Sequence, residues 1–63
     1  MDWLELRRLN AELTEFGQRE RDAERAEDFL LARRYRNLIR AAEFQRARLV
    51  RHLTEHLAAG AAA

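Results

Sequence analysis

The chain has 63 residues with no cysteine and no proline, and its twelve basic and eleven acidic residues give a formal net charge of +1. A chain of this length forms one domain and buries too small a fraction of its surface to be comfortably stable alone. Disulfides are excluded, and His52 and His56 are the only soft metal ligands, so oligomerisation is the remaining source of stability. We therefore expect a dimer or a larger helical assembly.

The composition predicts an all-α protein that lies outside the membrane. Ala, Leu, Arg and Glu make up the bulk of the chain, and these residues lose least on entering a helix. No apolar run approaches the roughly 20 residues that a bilayer crossing requires. The N-terminal Met-Asp-Trp-Leu-Glu lacks the basic and apolar regions of a signal peptide. We therefore expect a cytoplasmic protein without a membrane partner.

A first helix is predicted over about residues 2–26. Asp2 and Glu5 have the spacing of a capping box, with Asp in the place of Ser or Thr. Apolar side chains then recur at spacings of three and four, which places them on one face of a helix: Leu6, Leu9, Leu13 and Phe16.

A turn is predicted near residues 26–29, after the segment QRERDAERAED, in which the apolar pattern is weakest. Asp28 is a suitable N-cap for a second helix, and Phe29 restarts the apolar residues directly after it. Neither Gly nor Pro marks a break here. One continuous helix in a coiled coil therefore remains the alternative.

A second helix is predicted over about residues 29–59, with a frayed Ala-rich tail at 60–63. Its apolar stripe runs at helical period for about seven turns and is the strongest pattern in the chain: Leu31, Tyr35, Leu38, Ile39, Ala42, Leu49, Val50, Leu53 and Leu57. Gly60 then stands at a suitable C′ position for ending the helix.

A turn at residues 27–28 places two residues opposite each other when their numbers sum to about 55. Most pairs are then compatible, and Glu20 falls opposite Tyr35, where it can accept a hydrogen bond from the hydroxyl or from an incoming arginine. Leu9 would face Arg46, which is a mild conflict. Residues 1–28 carry a net charge of −4 and residues 29–63 a net charge of +5. This difference favours antiparallel pairing of the two segments, within one chain or between two.

The segment RAEDFLLARRYRNLI resembles the UVR motif, a short hairpin of bacterial nucleotide-excision-repair subunits and Clp-protease adaptor proteins. The matching residues are Asp28, Phe29, Ala32, Arg36 and Ile39, whereas Asn37 replaces an acid and Leu30 and Leu31 replace glutamates. The resemblance implies a helical hairpin that self-associates or docks a hairpin of a partner protein.

A basic face is predicted on the second helix, opposite its apolar stripe: Arg33, Arg36, Arg40, Phe44, Arg48 and Arg51. Arginines around an aromatic ring can follow phosphates while the ring stacks on an unpaired base. Against this interpretation, the near-neutral net charge is unlike that of domains that bind nucleic acid through counterion release.

No catalytic, metal or cofactor site is predicted. The chain has no Ser and no Cys, and Thr14 and Thr54 lack a supporting arrangement for nucleophilic catalysis. His52 and His56 formally match the HxxEH pattern of zinc proteases, but too few residues follow them to supply a third ligand. We expect a non-enzyme whose two histidines border the apolar stripe.

The sequence thus predicts an all-α, two-helix antiparallel hairpin that dimerises into a four-helix bundle of the ROP type or a coiled coil. The expected function is a protein–protein interaction module, acting as an adaptor or assembly factor. The alternative is a small nucleic-acid-binding regulator. The expected interface with a second copy or another helical protein comprises Leu6, Leu9, Leu13, Phe16, Leu31, Tyr35, Leu38, Ile39, Leu49, Leu53 and Leu57. Leu38, Leu49 and Leu53 should be the most sensitive to truncation.

Overall fold

Residues 2–62 are described by a computed structural model, and they form two helices. Helix α1 spans Asp2–Arg25 and helix α2 spans Phe29–Ala62. The helices pack against each other as an antiparallel hairpin, 54 Å long and 15 by 12 Å across. The predicted all-α hairpin is confirmed, and the alternative of one continuous helix is wrong.

The turn occupies residues 26–28, within the predicted segment. Glu27 has a left-handed backbone conformation, with φ of 56°. The Glu27 amide donates to the Glu24 carbonyl at 3.0 Å, and the Asp28 amide donates to the Ala23 carbonyl at 2.9 Å. These two hydrogen bonds define a Schellman motif, which ends α1 and satisfies two of its last carbonyl groups.

Asp28 caps the N-terminus of α2, as predicted. Its Oδ1 accepts a hydrogen bond from the Leu31 amide at 3.1 Å, and its carbonyl accepts one from the Ala32 amide at 3.0 Å. The side chain of Asp2, on which the predicted capping box of α1 depends, lies outside the described residues. Helix α2 continues through Gly60, which has no positive φ, and ends three residues beyond the expected position. The flanking alanines have the highest helix propensity and permit this extension.

The core lies along the seam between the helices. Among the described side chains, five are buried: Leu9, Ala23, Ala32, Ala42 and Leu53. They share the seam with half-buried residues spaced three or four apart, the arrangement of a and d positions in a coiled coil: Leu6, Leu13, Phe16, Glu20, Tyr35, Ile39 and Leu49. Three of the five buried residues are alanine, so the hairpin buries little apolar surface of its own.

Contacts across the seam establish the register of the two helices. Arg46 Nε donates to Asn10 Oδ1 at 2.7 Å, and Arg36 Nε donates to Glu20 Oε2 at 3.4 Å. The numbers in each pair sum to 56, which confirms the predicted register. The expected conflict at Leu9 is absent, because Leu9 is only 1% exposed while Arg46 turns its polar end sideways to Asn10. A long arginine stem can pack on apolar surface while its charged group reaches solvent.

Candidate interaction surfaces

The hairpin itself covers most of the predicted interface. Eight of the predicted residues are buried or half-buried along the seam: Leu6, Leu9, Leu13, Phe16, Tyr35, Ile39, Leu49 and Leu53. Within this group the rings of Phe16 and Tyr35 lie 6.2 Å apart at 37°, a tilted arrangement that is favourable for aromatic pairs. The other three residues, Leu31, Leu38 and Leu57, remain exposed. Of the predicted interface residues, these three present the most surface to a partner.

Nine large apolar side chains of the described residues are exposed in the hairpin: Trp3, Leu4, Phe29, Leu30, Leu31, Leu38, Phe44, Val50 and Leu57. Single exposed apolar residues are normal on soluble proteins, whereas groups of them mark interaction sites. Most of them fall into three groups according to their heptad positions and their place along the hairpin.

The leucine edge, formed by Leu31 and Leu38, runs directly beside the seam on α2. The two residues are 36% and 44% exposed and lie seven residues apart, which places them on the same edge of the helix. Gln45 and His52 continue the row toward the open end of the hairpin, where they line a shallow groove with Glu5 of α1. One half of this side of the hairpin is therefore apolar and the other half is polar.

The open end of the hairpin carries Trp3, Val50 and Leu57. In the observed register Asp2 lies opposite residue 54, so α2 extends about two turns beyond the start of α1. Leu57 has no residue of α1 opposite it and is 62% exposed, and Trp3 is 57% exposed. The greater length of α2 therefore explains why Leu57, a residue of the predicted stripe, is not covered.

Most ion pairs lie within α1. Arg8 pairs with Glu5 and, at 3.8 Å, with Glu12; Arg19 pairs with Glu15 at 2.7 Å. A fourth pair at 3.7 Å joins Arg25 and Asp22 near the end of the helix. All of these are spaced three or four residues apart, which is the spacing that stabilises a helix surface. The acidic helix therefore neutralises most of its own arginines.

Arg36 forms the two ion pairs observed between the helices in the described part of the chain. Its guanidinium lies 3.4 Å from Glu20 and 3.5 Å from Glu24, so Glu20 does accept an incoming arginine as expected. Tyr35 instead accepts a hydrogen bond from Arg19 at 3.5 Å. This bond and the neighbouring Glu15 carboxylate raise the pKa of Arg19 above its ordinary value.

The arginine face is the outward side of α2, and it comprises Leu30, Arg33, Arg34, Arg40, Phe44, Arg48 and Arg51. None of its arginines forms an ion pair or a side-chain hydrogen bond among the described side chains. The Arg48 guanidinium lies over the Phe44 ring, 5.9 Å from its centroid, within the range of a cation–π interaction. Phe44 remains 65% exposed.

This face differs from the predicted basic face by the loss of Arg36 and the addition of Arg34 and Leu30. Arg36 was predicted there, but it occupies a position beside the seam and turns to α1. Arg34 was not predicted to belong to the face. It is exposed on the same outward side as Arg48, from which it is separated by fourteen residues, or two heptads. The heptad assignment of Ala32 and Ile39 to the seam would have placed both arginines correctly.

The two histidines stack on each other near the open end. The rings of His52 and His56 lie 6.4 Å apart at 25°. Among the described residues, no three side chains of His, Cys, Asp or Glu come together as a group that could hold a metal ion. Neither α1 nor α2, over residues 2–62, combines the length and hydrophobicity needed to cross a membrane.

No protein-family model, curated protein or solved structure matches the chain significantly. The molecule is defined by its architecture, a two-helix antiparallel hairpin with exposed apolar groups. The UVR resemblance rests on the residues named above.

Proposed function

We propose that the chain is a non-enzymatic protein–protein interaction module, a hairpin that self-associates through the leucine edge and serves as an adaptor or assembly factor. The observation that carries this proposal is the exposure of Leu31 and Leu38 directly beside a seam whose buried residues are mostly alanine. Pairing of two such edges would add apolar surface to a thin core. The product would be a four-helix bundle of the kind that the sequence predicts.

The edge fits a symmetric partner. In a two-fold interface each residue contributes twice, once from each copy. Full burial of a leucine is worth about 1.5–3 kcal/mol, and Leu38 retains 44% of its exposure for a partner to remove. Two copies of Leu38 would therefore contribute roughly 1–3 kcal/mol, a tenfold to hundredfold effect on the dimer dissociation constant.

Sedimentation velocity over a range of micromolar concentrations tests the proposal. We expect the wild-type chain to be dimeric and Leu38→Gln to weaken the dimer by the amount estimated above. Leu30→Gln is the matched control, since Leu30 is 76% exposed on the outward side of the same helix. A folded wild-type monomer throughout the range would contradict self-association. If the two substitutions weakened the dimer equally, the leucine edge would not be the interface.

A further inference from the structure

We infer that the arginine face of α2 is a docking site for an acidic amphipathic helix of another protein. This inference is separate from self-association, because the face lies on the outward side of α2 and the leucine edge lies beside the seam. It rests on the distribution of charge in the folded hairpin together with the placement of Leu30 and Phe44.

The charge of the face is unneutralised. Arg33, Arg34, Arg40 and Arg51 have no ion pair or hydrogen bond among residues 2–62, although the complete chain carries a net charge of only +1. Most of the acids that balance these arginines lie on α1, where several are engaged by arginines of α1 itself. A near-neutral protein therefore presents one strongly basic face, and charge complementarity calls for an acidic partner.

Two large apolar side chains are also exposed on the face. Leu30 and Phe44 are 76% and 65% exposed, and they lie fourteen residues apart, which is two heptads or about 21 Å along the helix. Asn37 lies midway between them, and Ala41 and Ala47 provide small side chains beside Phe44. Two apolar side chains at heptad spacing with arginines beside them match an amphipathic helix that carries apolar anchors and acids at the corresponding positions.

A nucleic acid fits this arrangement less well. The arginines could bind the phosphates of a nucleic acid, but Leu30 offers no ring on which a base could stack. The Arg48 guanidinium already lies over the Phe44 ring. One of the two faces of this ring is therefore occupied. The exposed Leu30, which a protein helix can cover and a base cannot stack on, therefore favours a protein helix over a single strand.

A second copy of this chain does not supply the acidic helix. The outward positions of α1 carry four arginines and only two acids: Arg7, Arg8, Arg21 and Arg25 with Glu15 and Asp22. That surface would bring arginines against the arginines of α2, which is unfavourable. The occupant is therefore a different protein.

The test uses fluorescence anisotropy with the full chain and three labelled probes. The first is a synthetic three-heptad peptide with leucine at a and d and glutamate at e and g. The second has the same composition in shuffled order, and the third is an oligothymidylate of similar length. We expect the chain to bind the amphipathic peptide at least about tenfold more tightly than the shuffled peptide, with weak or no binding of the oligonucleotide.

Variants locate the site. Phe44→Ala and the double variant Arg33→Gln/Arg40→Gln should each weaken peptide binding by about tenfold or more, the effect typical of central interface residues. Arg7→Gln/Arg21→Gln removes the same charge from the outward side of α1 and should change binding by less than about twofold. Helical circular dichroism checks that each variant remains folded.

Three results would overturn the inference. Equal binding of the two peptides would show attraction by charge alone, and preferential binding of the oligonucleotide would make the face a nucleic-acid surface. No binding of the amphipathic peptide would remove the site. Leu38→Gln separates this inference from the proposed function, because it should weaken self-association and leave peptide binding unchanged.

Discussion

Replacement of Glu27 by glycine should stabilise the hairpin. Glu27 holds the left-handed position of the Schellman motif, with φ of 56°. This conformation costs a residue with a Cβ atom about 1–2 kcal/mol, and glycine adopts it without that cost. Glycine also gains more conformational freedom in the unfolded chain, which offsets about 0.5–1 kcal/mol of the gain. The expected net effect is an increase of about 0.5–1 kcal/mol in the free energy of unfolding.

Thermal unfolding followed by circular dichroism measures this effect. For a domain of this size a change of 0.5–1 kcal/mol corresponds to a rise of roughly 2–8 °C in Tm. All variants must be compared at one protein concentration, because self-association would make Tm depend on concentration. Urea unfolding provides a second measurement, in which the midpoint should rise at an unchanged slope.

Glu27→Ala is the control that separates backbone strain from charge. Both substitutions remove a negative charge close to the carboxyl end of α1, where the helix dipole disfavours it. Only glycine also removes the Cβ atom at the left-handed position. We expect the alanine variant to gain less than the glycine variant. Equal stabilisation by the two residues, or destabilisation by glycine, would refute the assignment of strain to Glu27.

Three further predictions concern the cap, the core and the charged contacts between the helices. Asp28→Ala should lower the free energy of unfolding in urea by about 1 kcal/mol, because it removes the acceptor of the Leu31 amide. Asp28→Asn keeps an oxygen acceptor and should retain most of this stability. Leu9→Ala should lower the free energy of unfolding by about 2–5 kcal/mol in the same assay, since this side chain is 1% exposed. Leu4→Ala is the control, because Leu4 is 65% exposed and its truncation should change stability by less than about 0.5 kcal/mol. A double-mutant cycle of Arg36→Gln and Glu20→Gln should give a coupling of about 0.2–1 kcal/mol that falls with added salt. A larger coupling that persists in high salt would show that the pair is more buried than its exposures of 49% and 21% indicate.

The helices, the turn and the register could be predicted because each depends on local chemistry. Asp28 caps α2 in any context that places a helix directly after it, and apolar spacing of three and four selects one face. Once the turn is placed, the register of an antiparallel hairpin follows from counting residues. The prediction of sums near 55 therefore needed no knowledge of side-chain packing.

The division of the apolar stripe could not be predicted so directly. The sequence predicts eleven residues in one interface with a partner, and the hairpin uses eight of them for its own seam. A stripe read along one helix does not show which of its edges a neighbouring helix covers. Leu9 illustrates the same limit, because the apparent clash with Arg46 disappears once the arginine turns to Asn10.

The charge difference between the two halves of the chain has a different role in the folded hairpin from the one that the sequence suggested. Attraction between an acidic and a basic helix was expected to favour their pairing, but only Arg36 forms ion pairs across the seam among the described residues. Both pairs are partly exposed, and such pairs contribute little to stability. The arginines of α1 are engaged largely within that helix, whereas those of α2 point mainly outward. The excess of positive charge on α2 is therefore better placed to select a partner than to hold the hairpin together.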